Sequence, residues 1–142
     1  MVWRERPLNL DHDIIPFWEG LKQHEFHLFC CRRCGAAYWP YAYCRNHDDI
    51  PALEEMEWRP TSGRGRVFVF NVVHQVTHPA YAGEVPYVLA MVELEEGPLF
   101  PTRIVGCDPS EVSIGLPVEV QYEDVPAAGH TLPLFRPRRP LA

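Results

Sequence analysis

Four of the five cysteines, Cys30, Cys31, Cys34 and Cys44, fall within fifteen residues, while Cys107 stands far downstream. The segment runs Cys31-Arg-Arg-Cys34, then a nine-residue aromatic-rich loop from Gly35 to Tyr43, then Cys44-Arg-Asn-His47. A CxxC turn holds two thiolates on one side of a knuckle, with backbone N–H groups free for the sulfurs and a following glycine able to take a positive φ. CxxC followed by CxxH therefore offers three thiolates and an imidazole to one tetrahedral site. Zinc suits that set because it is borderline-soft and accepts both donor types. Four protein ligands leave no position for water, so the chemistry read here is structural: Cys31, Cys34, Cys44 and His47 hold Zn2+, and the metal holds the fold. An iron site of four thiolates fits less well, since the fourth donor is a histidine. Cys30 could replace Cys31 or His47, and His24 or His27 could supply a nitrogen. The two-residue spacing to Cys34 favours Cys31 and leaves Cys30 as a strand residue packing on its neighbours.

No catalytic residue is assigned elsewhere. Cys107 precedes Asp108-Pro109 without an elbow that would present a nucleophile, and reads as a small buried hydrophobe. His74 and His78, with Asn71 and Gln75 near them, are the best acid–base candidates. Strand alternation does not bring them together, because His74 ends a strand and His78 falls in the loop after it.

The elements that must position these groups are mostly strands. Residues 11 to 22, opening at Asp11 or Asp13 with Pro16 in the first turn, form a short amphipathic helix. Its stripe Ile14, Ile15, Trp18 and Leu21 fits either the domain's own core or a partner's groove. Residues 25 to 29 and 36 to 43 fit the two β-arms of a zinc ribbon. After a linker from Asp48 to Glu55, period-2 runs follow at Met56–Pro60, Arg66–His74, Pro86–Leu94, Leu99–Val105 and Pro117–Glu123, punctuated by Gly/Pro turns. The run Arg66–His74 is apolar on both faces and is expected to be a central strand. Five strands without intervening helices, and a short turn at Pro109–Val112 before the last, fit an antiparallel barrel of the OB type better than a sandwich of about seven strands. The last ten residues, from Pro133, carry three prolines and three arginines and read as an extended basic tail that does not pair in a sheet. The expected division is 1–24 helical segment, 25–50 zinc ribbon, 51–132 OB fold and 133–142 tail.

Composition excludes several classes. The chain has 142 residues, 46% of them hydrophobic, and a net charge of −6, enough apolar material for one domain or two small ones sharing a core. Net negative charge opposes nucleic-acid binding, which rests on neutralising phosphates. Apolar runs fall short of the roughly 18 residues a membrane span needs, and the N-terminal sequence lacks a secretory pattern, so a cytoplasmic chain without membrane contact is expected.

The order of several segments resembles a known family. These are Pro16-Phe-Trp-Glu-Gly20, the knuckle Cys31-x-x-Cys34-Gly35 with Cys44, Ser62-Gly63-Arg64-Gly65 leading to Val73-His74, Pro86-Tyr87-Val88 through Glu96-Gly97-Pro98, Ile114-Gly115-x-Pro117 and Leu132-Pro133-Leu-Phe-Arg-Pro137. Over nearly the whole chain they resemble bacterial and archaeal proteins with an N-terminal helix, a rubredoxin-like zinc ribbon and a C-terminal OB fold, associated with acyl-CoA metabolism. The fourth ligand in that family is usually cysteine, where this chain has His47. The resemblance implies an accessory subunit in a hetero-oligomer with a thiolase-like protein of the sterol-carrier type, a retro-aldolase of steroid side-chain CoA thioesters or a related acyltransferase, with catalysis in the partner. Within that reading, Arg64 and Arg66, flanked by glycines, could hold a CoA phosphate, and Arg136, Arg138 and Arg139 would give a positive rim for an acidic partner patch. Two other functions remain to be distinguished: a stand-alone acyl-CoA carrier, and a nucleic-acid-binding OB protein using Phe68, Phe70, Tyr87 and Tyr122.

Overall fold

Asp11 opens the N-terminal helical segment by accepting from the Asp13 N–H and capping a 3-10 turn, His12–Ile14, that runs directly into helix α1 (Ile15–Lys22). This computed structural model describes residues 3–8, 10–49 and 53–139. The helix docks on the chain's own core: Phe17 and Leu21 are fully buried, Ile14 and Trp18 half-buried, and Ile15 exposed. Phe17 does more than the apolar stripe foretold. Its ring meets Trp18, Phe26, Trp39, Trp58 and Phe100 at centroid distances of 5.6 to 6.3 Å, and so touches every layer of the molecule.

The first sheet has three strands in the order β2-β1-β3. Strand β1 (His27–Cys31) pairs antiparallel with β2 (Ala37–Tyr38) on one side and with β3 (Met56–Pro60) on the other. The run Met56–Pro60, expected in the barrel, therefore belongs to the ribbon sheet. Side chains explain the choice: Met56 lies opposite Cys31 and packs with Cys31 and Cys44, and Trp58 meets the Phe29 ring at 5.0 Å.

The second sheet is a closed five-stranded barrel, in the order β4-β5-β6-β8-β7. Its strands are β4 (Arg64–Val73), β5 (Tyr87–Leu94), β6 (Leu99–Ile104), β7 (Pro117–Val125) and β8 (His130–Pro137). In β5, Val88, Ala90, Val92 and Leu94 point inward and are buried, while Leu89 and Glu93 point out. The short turn before β7 is present at Pro109–Glu111, closed by a capping box between Asp108 and Glu111.

The closing strand corrects the reading of the C-terminal tail. Residues of β8 as far as Pro137 pair antiparallel with β7, from His130 opposite Val125 to Pro137 opposite Val118. The prolines are tolerated because of parity. Pro133, Phe135 and Pro137 face the β6 side, where the Pro133 carbonyl accepts from Thr102 Oγ1 and the Phe135 carbonyl from the Val105 N–H. On that side only Phe135 pairs, with Ile104 and in parallel, so the two missing N–H groups leave the β7 ladder whole. This parallel contact makes the barrel mixed instead of purely antiparallel. Arg136 and Arg138 pair with Glu119 at 3.3 Å and Glu95 at 3.6 Å within the chain, so they do not form the free positive rim expected of a tail.

Strand β4 is also not central. It pairs with β5 as far as Val73 but with β7 only over Arg64–Arg66, and a bulge between Val67 and Val69 turns the strand outward. Phe68 and Val69 are 50% and 46% exposed as a result.

The first residues are tied to the barrel. Arg103 is held between the rings of Trp3 and Tyr87 at 4.5 and 4.2 Å and pairs with Glu84, while Arg4 reaches Glu84 and Glu123. Burial by itself raises the Glu84 carboxyl, but the two guanidiniums outweigh it and hold the group below the usual range. Among the described residues no helix is long and apolar enough to cross a membrane.

Candidate metal centre

Cys31 ends β1, and the chain turns at once: the Gly35 N–H donates to the Cys31 carbonyl at 2.8 Å, with Gly35 at a φ of +77°. That turn needs a residue without a Cβ, which is why a glycine follows the second cysteine. The second knuckle, Cys44 to His47, comes back beneath it. The four donor atoms of Cys31, Cys34, Cys44 and His47 lie within 4.8 Å of one another and could hold a metal ion. Among the described residues no other group of three or more Cys, His, Asp or Glu side chains converges in this way.

The donor set passes a geometric test. Cys31 Sγ is 3.5 Å from His47 Nε2, and Cys34 Sγ is 3.6 Å from Cys44 Sγ. Tetrahedral ligands at zinc distances would be separated by about 3.6 Å for S to N and about 3.8 Å for S to S. All five cysteines are free thiols, and the Cys34–Cys44 separation is far beyond a disulfide bond.

Electrostatics are uneven across the cluster. Burial pushes the Cys31 thiol up, against donation from the backbone N–H groups of Cys34 and Arg33. The Tyr38 hydroxyl donates to Cys44 Sγ at 3.4 Å and brings that thiol down to about 6, with help from the Asn46 N–H. Tyr38 in turn accepts from the Arg45 N–H at 3.0 Å, so its hydroxyl is fixed between backbone and sulfur. Arg33, inside the first knuckle, reaches Asp49 at 3.0 Å and Glu55 at 2.8 Å, clamping the knuckle to the chain beyond His47. Sequence reading missed both Tyr38 and Arg33. The available signal was an aromatic hydroxyl midway between the knuckles, and a basic residue inside CxxC with acids shortly after the last ligand.

The alternative ligands lie elsewhere. Cys30 is buried in the main core, its thiol donating to the Leu28 carbonyl. His24 stacks on Tyr122 at 4.9 Å and meets both Asp124 oxygens at 3.0 Å, and His27 meets Glu25 at 2.8 Å. His78 caps a short turn by accepting from the Ala80 N–H. Cys107 is half-buried, and burial raises its thiol.

Arg64 and Arg66 are exposed on β4, in the loop expected to cradle an anion. The glycines there have structural reasons. Gly63 has a φ of +67°, and a Cβ on Gly65 would run into the Glu93 carbonyl. The loop already holds a carboxylate, since the Ser62 N–H donates to Glu96 Oε2 at 3.0 Å, and Arg66 donates to the Gly115 carbonyl at 3.1 Å.

A family model described as "ChsH2, C-terminal OB-fold domain" matches residues 58–123. The chain is 31% identical to a DUF35 domain-containing scaffold protein of Methanocaldococcus jannaschii, over 84% of this chain and 83% of that protein. The chain belongs to the DUF35 family. It is also 35% identical to a probable enoyl-CoA hydratase alpha subunit of Thermomonospora curvata, covering 96% of this chain but 41% of that subunit, so it spans less than half of that relative. Among solved structures, the Ltp2-ChsH2(DUF35) aldolase contains a chain that superposes with a TM-score of 0.77 at 33% identity, over 93% of this chain and 98% of that one. The DUF35 fold thus accounts for nearly all of the residues, the ribbon as well as the barrel.

Proposed function

We propose that this DUF35 chain is the accessory, non-catalytic subunit of a thiolase-like enzyme acting on acyl-CoA thioesters, with a retro-aldolase of steroid side-chain degradation as the specific reading. The observation that carries the proposal is the near-complete match to a chain of the Ltp2-ChsH2(DUF35) aldolase, supported by the scaffold description of the archaeal relative. In this reading Cys31, Cys34, Cys44 and His47 bind Zn2+ as a structural ion. The three-thiolate, one-imidazole set and its separations near tetrahedral values support that role. A CoA phosphate contact at Arg64 and Arg66 belongs to the same reading. It is supported by a polar pocket of about 220 Å³ that brings Arg66 and Arg138 together, and it requires the phosphate to share the site with Glu93 and Glu95.

The deciding experiment is co-expression with a thiolase-like protein encoded beside this chain, followed by a cleavage assay on acyl-CoA thioesters for each protein alone and for the pair. Stable co-purification with cleavage only by the pair is expected. Cleavage by this chain alone, or full activity of the partner without it, would overturn the accessory role.

A further inference from the structure

The barrel is closed by pairing of β4 with β7 over Arg64–Arg66 only, and the last hydrogen bonds on that side are those of Val67 with Leu116 and Gly115. Beyond Val67, from Phe68 to Val73, β4 has β5 on one side and, among the described residues, no strand on the other. In an antiparallel ladder every second residue turns its N–H and C=O toward the far side, so this edge presents a row of unpaired donors and acceptors. Exposed edges are normally blunted by charge, proline or a short length. This one is six residues long and reads Phe-Val-Phe-Asn-Val-Val, with neither a charge nor a proline.

The adjoining outer face has the same character. Val69, Leu89, Met91 and Pro101 line a shallow groove of about 490 Å³ that begins at the open edge and crosses β5 to β6. Leu89 is 47% exposed, beside Phe68 and Val69 at about half. We propose that this edge and face form a two-fold interface between two copies of the chain, with β4 pairing antiparallel to β4 of the second copy and the outer faces joining into one continuous sheet.

Two observations favour a second copy as the occupant. The first is charge. A chain with a net charge of −6 repels itself wherever its acids are exposed, and a two-fold interface sets each side chain against a copy of its neighbours. From Val67 to Val73 and from Tyr87 to Val92, neither strand carries an ionised side chain, so this surface allows self-approach without placing like charges opposite one another. The second is geometry. Two β4 edges related by a two-fold run antiparallel and satisfy one another's free N–H and C=O groups over the same six residues, and this pairing uses up the edge so that assembly stops at two.

Sedimentation velocity on the chain alone, from low micromolar to near-millimolar concentration, tests this without involving any enzyme partner. A monomer–dimer equilibrium is expected. Val69→Lys, at an exposed position on the edge, is expected to weaken it about tenfold or more by setting two ammonium groups near the axis. Leu99→Lys, at the far side of the face on β6, is expected to leave it within about twofold. Amide exchange on the unaltered protein gives a readout independent of variant folding: protection at Phe68–Val73 should rise with concentration, while protection at Val118–Val125 stays constant. A monomer throughout the range, a dimer indifferent to Val69→Lys, or open-ended polymers would each overturn the proposal.

Discussion

The barrel and the ribbon are held together by different forces. The barrel strands contribute nine residues, among them Val67, Val92, Phe100, Val118 and Phe135, to one buried apolar cluster, and each strand is laddered to a neighbour over most of its length. The ribbon end has a buried cluster of three residues, Cys31, Cys44 and Met56, two of which belong to the Cys/His group that could hold a metal ion. Its ion pairs, Arg33 with Asp49 and Glu55, are partly exposed and screened by solvent, whereas a structural zinc ion held by the cluster would supply folding free energy like the about 10–16 kcal/mol seen in small zinc domains. A region with a large core can tolerate losing any one polar contact; a region whose small core is built around the proposed metal site cannot.

Metal removal is the strongest way to separate the two. Chelation, or Cys34→Ser, should release amide protection in residues 27–31 and 37–49 while β5, β7 and β8 stay protected, followed by hydrogen exchange and metal content. Simultaneous loss of barrel protection would abolish the distinction.

Phe17→Ala comes next, because it strikes the ring that both regions share. A cost of about 3–5 kcal/mol in a urea melt is expected, with the ribbon and barrel transitions shifting together. A shift confined to one region would show that they are not coupled through this ring. Tyr38→Phe removes the hydroxyl that donates to Cys44 and should weaken metal affinity about 10–100-fold in a chelator competition, with barrel stability unchanged.

The smallest effect is a pH dependence. Asp124 accepts from Thr131 Oγ1 at 2.7 Å and from His24, which hold its carboxyl below the usual range. A carboxyl lowered on folding contributes stability above its unfolded pKa of about 3.9, and that contribution is lost as pH falls through the lower folded value. Asp124→Asn should therefore lower Tm slightly at neutral pH and flatten its fall below about pH 4. Equal slopes for the two proteins would show that the contacts of Asp124 with Thr131 and His24 add nothing.

How legible each region was follows from how local its interactions are. The convergence of Cys31, Cys34, Cys44 and His47 was readable because CxxC and CxxH are knuckles closed within four residues, and the glycine after Cys34 is required by the same turn. Strand β5 was readable because alternation is local, and its four inward residues are those the pattern gives. At Ser62–Gly65 the glycines also answer to demands that no local reading shows: Gly63, at a φ of +67°, lies against the Val120 side chain, and Gly65 against the Glu93 carbonyl of the next strand. Tyr38 was invisible because its partner sulfur is six residues away across a loop whose path no periodicity describes.

The sequence by itself determined the donor set, the strand-rich composition and the turn positions, since each depends on residues within one turn or one strand of each other. Only the tertiary structure decided which sheet each strand joined. Met56–Pro60 went to the ribbon because Trp58 and Met56 find partners there, and His130–Pro137 closed the barrel because its prolines face the sparsely bonded side. Two apolar faces made β4 look central, yet it ended at an open edge, because apolar pattern records what a strand can bury and not which neighbour comes to cover it.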